Sequence, residues 1–256
     1  ISALEESKFR VKYAFWDLNA NVTHKFSDSN RLALNLYGGR DAAKLIAGND
    51  RQPSDDYSSK YMTRWGLEWG NFVASLDWDY KFAPNHETSL KAYYTLYDSL
   101  FGLYDEGQTI SRDLDDYTLL RDEEYYNSTG NKSRTSDLGL KADFSFRPVE
   151  NHHLRYGATL KYHFYNPVSY SIKNDKLNGE TIFEEDKSQS APRQSFDSAL
   201  YIEDEMQLTD WFTANVGLRY SAIATERKWY HSIEPRAALR FQCGDYTDLK
   251  VSYSEM

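Results

Sequence analysis

Apolar and polar residues alternate along most of this chain. From Trp16, the residues Trp16, Leu18, Ala20 and Val22 fall on one side of an extended backbone. Asp17, Asn19, Asn21, Thr23 and Lys25 fall on the other. A period of two marks a strand with one apolar face. The pattern recurs at Leu32, Leu34 and Leu36, then at Phe72, Ala74, Leu76, Trp78, Tyr80 and Phe82, then at Leu90, Ala92, Tyr94 and Leu96. Later segments repeat it over Leu138–Phe146, Leu154–Phe164, Phe212–Tyr220 and Ile233–Phe241. No segment carries a helical period. The pattern predicts an all-β fold, an antiparallel up-and-down meander of about ten strands, each near the length that crosses a bilayer at a tilt.

The connections alternate in length. Short polar turns are expected at Ser27–Asn30, Ala83–Glu87, Pro148–His152, near Thr209-Asp210 and at Gly244–Thr247. Between them come long stretches, Asp41–Lys60, Asp98–Ser133 and Asn166–Ser195, which read as extracellular loops. A shorter connection surrounds Glu226–Tyr230. Short turns at one end and long loops at the other characterise outer-membrane barrels, whereas compact domains rarely hold such loops. Phe26, Phe82, Phe146, Trp211 and Phe241 each lie beside a short turn, as the periplasmic aromatic girdle of a barrel would require. The polar faces carry charges of both signs, which suit a wet lumen.

Composition narrows the partners. The chain has 256 residues, 27% of them charged and 16% aromatic, with a net charge of -9. It lacks a run of about 18 apolar residues, so it has no transmembrane helix, but barrel strands place only alternate residues in lipid. The acidity excludes nucleic acid as a natural partner. Cys243 is the single cysteine and allows no intrachain disulfide; it reads as an unpaired wall residue near a turn. Gly38-Gly39 reads as a crowded wall position, not a phosphate cradle. The opening Ile1–Glu6 carries no signal peptide, and Val251–Met256 stops inside an apparent strand. Both ends are therefore expected to be cut, with residues 1–256 forming one partial barrel domain.

Nothing pairs a nucleophile with a base, so no enzyme, cofactor or metal is expected. His152-His153 reads as part of a solvated turn. The acidic stretch Tyr104–Tyr126 fits no calcium-loop template and reads as a charged, solvated loop. Its tyrosines Tyr104, Tyr117, Tyr125 and Tyr126, with Tyr170 and Trp229 in later connections, are candidates for stacking on a sugar or peptide ligand. Tyr165, Phe183 and Tyr230 are weaker candidates of the same kind. On the polar face, Arg219 and Arg236 are expected to lie roughly opposite one another on neighbouring strands. Two such cations need acids, and Glu203, Glu205 and Glu234 share their face, which predicts a polar ladder.

Four stretches resemble the TonB-dependent receptors of Bacteroidetes-type bacteria. They are Trp16–Ala20 through His24–Asp28 with Tyr37–Asp41; Trp69–Leu76; Tyr201–Glu205 with Thr209-Asp210 and Gly217–Tyr220; and Ile233–Ala237 with Leu249–Ser254. The resemblance implies a large plugged barrel of the 22-stranded class, with the plug absent from this sequence. It further implies active import of a nutrient across the outer membrane, driven through TonB. Outer-membrane lipid, the protein's own plug and the TonB complex are the partners implied, with a surface lipoprotein left open. The polar ladder would then touch the plug. Siderophore, cobalamin, glycan and peptide all remain open as cargo. Two other readings stand beside this one: a pore or scaffold barrel without TonB coupling, and a soluble β-rich domain that binds glycan.

Overall fold

The computed structural model describes residues 4–255. They form a single antiparallel sheet of eleven strands. The strands are β1 (Leu4–Ser27), β2 (Asn30–Ser54), β3 (Tyr57–Ala83), β4 (His86–Arg112), β5 (Leu119–Phe146), β6 (His152–Leu177), β7 (Glu180–Ser190), β8 (Arg193–Thr209), β9 (Phe212–Thr225), β10 (Trp229–Gly244) and β11 (Thr247–Ser254). Each pairs with its neighbour in the chain, except that β6 pairs with both β7 and β8.

β7 and β8 are one return strand with a break. Val168 pairs with Ser190 and Tyr165 with Arg193, so the register runs unchanged across the gap. The break falls at Ala191-Pro192, opposite Asn166 and Pro167. Two prolines at diagonal positions, Pro167 opposite Ala191 and Pro192 opposite Asn166, each lack a backbone donor, and the backbone spans the gap with one bond from Ala191 N to Pro167 O, 3.2 Å.

The long connections expected from sequence are not loops. Asp41–Lys60, Asp98–Ser133 and Asn166–Ser195 continue the strands into tall hairpins, closed by turns at Asp55-Asp56, Asp113–Thr118 and Asn178-Gly179. Asn178 and Gly179 take positive φ of 51° and 82°, where an Asn-Gly pair fits at low steric cost. Pairing satisfies most of the backbone groups that a loop would leave to water, β7 being paired on one side only. The two ends of the sheet therefore differ in strand overhang, not in turn length. His152 and His153 likewise open β6 and point to opposite faces, His152 to Asp204 (2.7 Å) and His153 to Ser145 (2.8 Å). They are strand residues held by neighbours rather than a solvated turn.

Directly paired residues share a face. One face therefore carries the even-numbered residues of β1–β6, β8 and β9 and the odd-numbered residues of β10 and β11. Near the short turns this face is apolar. It runs from Phe72 to Phe82 on β3 and from Leu154 to Phe164 on β6, roughly the ten residues that a tilted strand needs to cross a bilayer. The aromatic girdle lies at its lower edge. His86 sits 5.1 Å from both Phe82 and Phe146, and Phe212 stacks on Phe241 at 4.7 Å.

The sheet has no core of its own. Among the described residues the buried apolar side chains are alanines: Ala33, Ala199, Ala214 and Ala222. Leu138, Leu140 and Leu200 remain more than half exposed. The accessible surface is 17676 Å², against about 12,000 Å² for a compact monomer of this size. A soluble domain would bury these side chains; this face needs lipid. The opposite, polar face is concave, because one cavity of about 500 Å³ gathers Lys25, Arg31, Asp79, Asp143, Arg155 and Tyr201 from strands β1 to β8.

Candidate functional site

A charged row ends the apolar band. Arg40, Gly70, Asp98 and Arg134 are consecutive partners across β2, β3, β4 and β5 on the convex face. Arg40 bonds Asp98 at 3.3 Å and Glu68 at 3.2 Å, and Lys44 reaches Glu68 at 3.2 Å. These cations hold the Glu68 carboxyl below its ordinary 4.5, Lys44 contributing most. Such charges are costly in hydrocarbon, so the row marks the edge of the membrane.

Above that row the two faces exchange character. The concave face, polar in the membrane, becomes apolar: Phe9, Val11, Tyr13 and Phe15 on β1, Ala43, Leu45 and Ala47 on β2, Trp65, Leu67 and Trp69 on β3, Phe101 and Leu103 on β4. The ladders join these residues row by row, as in Val11, Leu45, Trp65 and Leu103. Trp65 and Phe101 meet edge to face at 5.8 Å, and Tyr13 and Phe15 lie 5.8 Å apart. Phe9 is 72% and Phe15 67% exposed. β1 is an edge strand with one neighbour, but the apolar rows continue across β2, β3 and β4, and contiguous apolar surface is a candidate for binding. Its rim is polar. The Tyr13 hydroxyl donates to Asp41 at 2.6 Å, which pushes the phenol above its ordinary 10.0. Thr63 donates to Asp105 at 2.7 Å. Tyr125 lies higher on the same wall, raised in pKa by desolvation first and then by Asp105.

The sequence signal for this wall lies before Trp16, ahead of the first lipid-facing segment. Phe9, Val11, Tyr13 and Phe15 alternate in their own right, one residue out of phase with Trp16, Leu18, Ala20 and Val22. That phase slip was the available signal.

Lower on the concave face, all five ladder residues are present, but they divide. Glu234 is directly opposite Arg219, two residues from the expected facing of Arg219 with Arg236. It lies 3.7 Å from Arg219 and 3.2 Å from Arg236, is 8% exposed, and accepts from Ser232 at 3.0 Å. Glu203 and Glu205 turn instead to Arg155, at 2.8 and 3.6 Å. The structure thus forms two clusters where the sequence predicted one. A third was not foreseen: His163 bridges Asp137 at 2.7 Å and Asp197 at 2.9 Å, tying β5, β6 and β8 together.

The six candidate ligand residues do not converge. Tyr125 alone stands on the concave wall. Tyr104, Tyr126 and Tyr170 are on the convex face of the tall hairpins, Trp229 is on the convex face at the top of β10, and Tyr117 sits in the β4–β5 turn with φ 57°. Tyr104 and Tyr170 join hydroxyl to hydroxyl at 3.2 Å, and burial pushes Tyr170 up to about 12. The acids of this hairpin partly serve the turn itself: Asp113 accepts from Asp115 N at 2.8 Å and Asp116 from Thr118 N at 3.0 Å. Cys243 is exposed at the end of β10.

Residues 9–255 match the family model described as "TonB dependent receptor-like, beta-barrel". No curated protein matches the chain at a significant level. Among solved structures, the chain resembles that of the FpvAI–pyocin S2 complex, with TM-score 0.51 and 9% identity over 97% of this chain and 42% of that one. It also matches the siderophore receptor PiuA from Acinetobacter baumannii (TM-score 0.48, 11% identity, 99% of this chain and 49% of that). A third match is the ferric citrate transporter FecA (TM-score 0.42, 10% identity, 98% and 43%). The chain therefore spans under half the length of each.

Proposed function

Because the chain belongs to the TonB-dependent receptor-like β-barrel family, we propose that it forms part of the wall of an outer-membrane transporter that binds a nutrient and imports it with TonB-coupled energy. Outer-membrane residence follows from the family and sets aside the soluble glycan-binding reading. Two open sheet edges, at β1 and β11, need partner strands in lipid, and further barrel strands would supply them. A plug would rest against the clusters around Glu234, Arg155 and His163. The Bacteroidetes-type motifs, a surface lipoprotein and the identity of the cargo belong to the same proposal.

The observation that carries it is the exchange of faces above the membrane. Water on the outside explains the polar convex face. It does not explain a concave wall of Trp65, Trp69, Phe101, Phe9 and Phe15. A wall that first meets an incoming ligand gains from aromatic area, which binds at low entropic cost. The cargo supported best is one with apolar or ring surface of its own.

The test uses the full-length protein in whole cells. External protease is expected to cut at the Asp113–Thr118 turn, which fixes orientation. Uptake is expected to fail in a strain without TonB and to weaken in Trp65→Ala with Trp69→Ala. TonB-independent uptake would favour the passive pore. Uptake unchanged in the double variant would move the binding face elsewhere.

A further inference from the structure

β7 is bonded on one side only. Above Ser195, which faces Thr225, β9 ends, and the β9–β10 connection closes on itself with Thr225 N donating to Lys228 O at 2.9 Å. β7 climbs past that level beside β6 alone. This edge differs from those at β1 and β11. Further barrel strands would cover β1 and β11, but the neighbour of β8 is already in place and stops short. The edge of β7 therefore stays open in a closed barrel.

The register shows which backbone groups this edge offers. Ala191 N donates to Pro167 O, so the odd-numbered residues of β7 turn their N–H and C=O toward β6. The even-numbered ones turn theirs outward. These are Glu184, Asp186, Ser188 and Ser190, on one unbroken register against β6. A free row of this kind is a template for one more strand.

The side chains select the strand. On the convex face of the other tall hairpins an acid is answered from the next strand, Glu68 by Arg40 and Glu106 by Arg64. Glu184 and Asp186 have only Asn174 and Ile172 opposite them on β6, and among the described residues neither is paired. Glu185, on the concave face, is answered within β7 by Lys187 at 2.6 Å. The unanswered charge thus lies beside the open edge. Two acids spaced by two residues fit a strand with Lys or Arg at alternate positions. Acids also repel a like edge. Two copies pairing there would bring their acids together, so a second copy is the wrong occupant.

We propose that the outer edge of β7 is a strand-addition site, where an extended basic segment of another protein pairs along Glu184–Ser190, in line with β9. Backbone bonds supply the affinity, and cations at alternate positions facing Glu184 and Asp186 supply the choice of partner. The site stands apart from the aromatic wall of β1 to β4. The inference rests on the outward orientation proposed above, which protease cleavage tests separately, and it does not depend on transport.

The probes are two synthetic peptides of about ten residues, one alternating Thr with Lys and one alternating Thr with Glu, added to the full-length protein in detergent. The lysine peptide is expected to bind and to slow amide hydrogen exchange across Glu184–Ser190. The glutamate peptide is expected to do neither. Ser188→Pro removes one outward donor, leaves the bonds to β6 and keeps both acids. It is expected to weaken the lysine peptide about tenfold, the scale of one lost hydrogen bond. Glu184→Gln with Asp186→Asn is expected to weaken it about fivefold at low salt. Binding without slowed exchange overturns the proposal, because it indicates mere adhesion to a chain whose net charge is -9. So does absent binding, equal binding of the glutamate peptide, or unchanged binding in either variant. The exchange measurement uses wild-type protein, so the test stands even where Ser188→Pro fails to fold.

Discussion

Phe15 and Trp16 are chain neighbours on opposite faces of β1, and the apolar surface of the sheet changes sides between them. Trp16 heads the row that descends through Leu18 and Val22 along the convex face. Phe15 ends the row that climbs through Tyr13 and Phe9 along the concave one. Arg40, opposite Trp16, and Asp41, opposite Phe15, fix the same level on β2. Orientation follows from this crossing: what lies below is sorted for lipid, and what lies above presents a polar face outward and an apolar wall inward.

Leu76→Arg sets an arginine in the middle of the lipid band. It is expected to destabilise the full-length barrel by about 2–4 kcal/mol, measured by denaturant unfolding in detergent. Ser75→Arg, one residue away on the polar face beside Asp77, should cost far less. Equal costs would mean that the faces are wrongly assigned.

Glu234 serves two arginines, and Glu234→Gln removes the shared charge. A loss of about 2 kcal/mol is expected, the scale of a charged hydrogen bond. Arg219→Glu, which sets two carboxylates facing each other, should be worse than Arg219→Ala and should lower uptake as well. Normal stability and uptake in Arg219→Glu would deny this cluster a role.

The Glu68 carboxyl is held below its ordinary value of 4.5 by Lys44 and Arg40. Its contribution is fully present above that value and disappears as pH falls through the lower, folded one. Wild-type stability, followed from about pH 6 down to about pH 3, should therefore fall more steeply than that of Glu68→Gln. Parallel curves would show that this part of the charged row contributes nothing.

Gly139 is covered by a ring. A Cβ there would lie 2.1 Å from Cζ of Tyr93, its partner across the β4–β5 ladder. Gly139→Ala is expected to cost about 1–3 kcal/mol. The same change in a Tyr93→Ala background should cost much less, and that coupling, measured by a double-mutant cycle, separates ring contact from backbone effects.

The sequence made the membrane part legible because lipid imposes a strict period of two. Every alternating segment, from Trp16–Val22 to Ile233–Phe241, lies on the face its apolar residues indicated. The hairpins above the membrane were not legible as strands. There, neither face meets lipid, the pattern loosens, and Asp, Gly and Ser imitate loop composition. Without strand parity, Tyr104, Tyr126 and Tyr170 could not be told from Tyr125, although only Tyr125 looks inward. The Arg219 pairing slipped for a similar reason. The register places the β9–β10 turn between residues 226 and 227, and centring it one residue later exchanges Glu234 for Arg236.

The charged collar also has a mechanical meaning. In the transporter proposed above, cargo drawn inward would pull on whatever grips it, and the grip would belong to the wall. Arg40, Glu68, Asp98 and Arg134 stand at the membrane surface on four neighbouring strands. For the wall to follow the load downward, that ring of charge would have to enter hydrocarbon, at about 2–4 kcal/mol for each cation at midplane. In that transporter the collar would act as a flange, holding the barrel at its depth while the contents move.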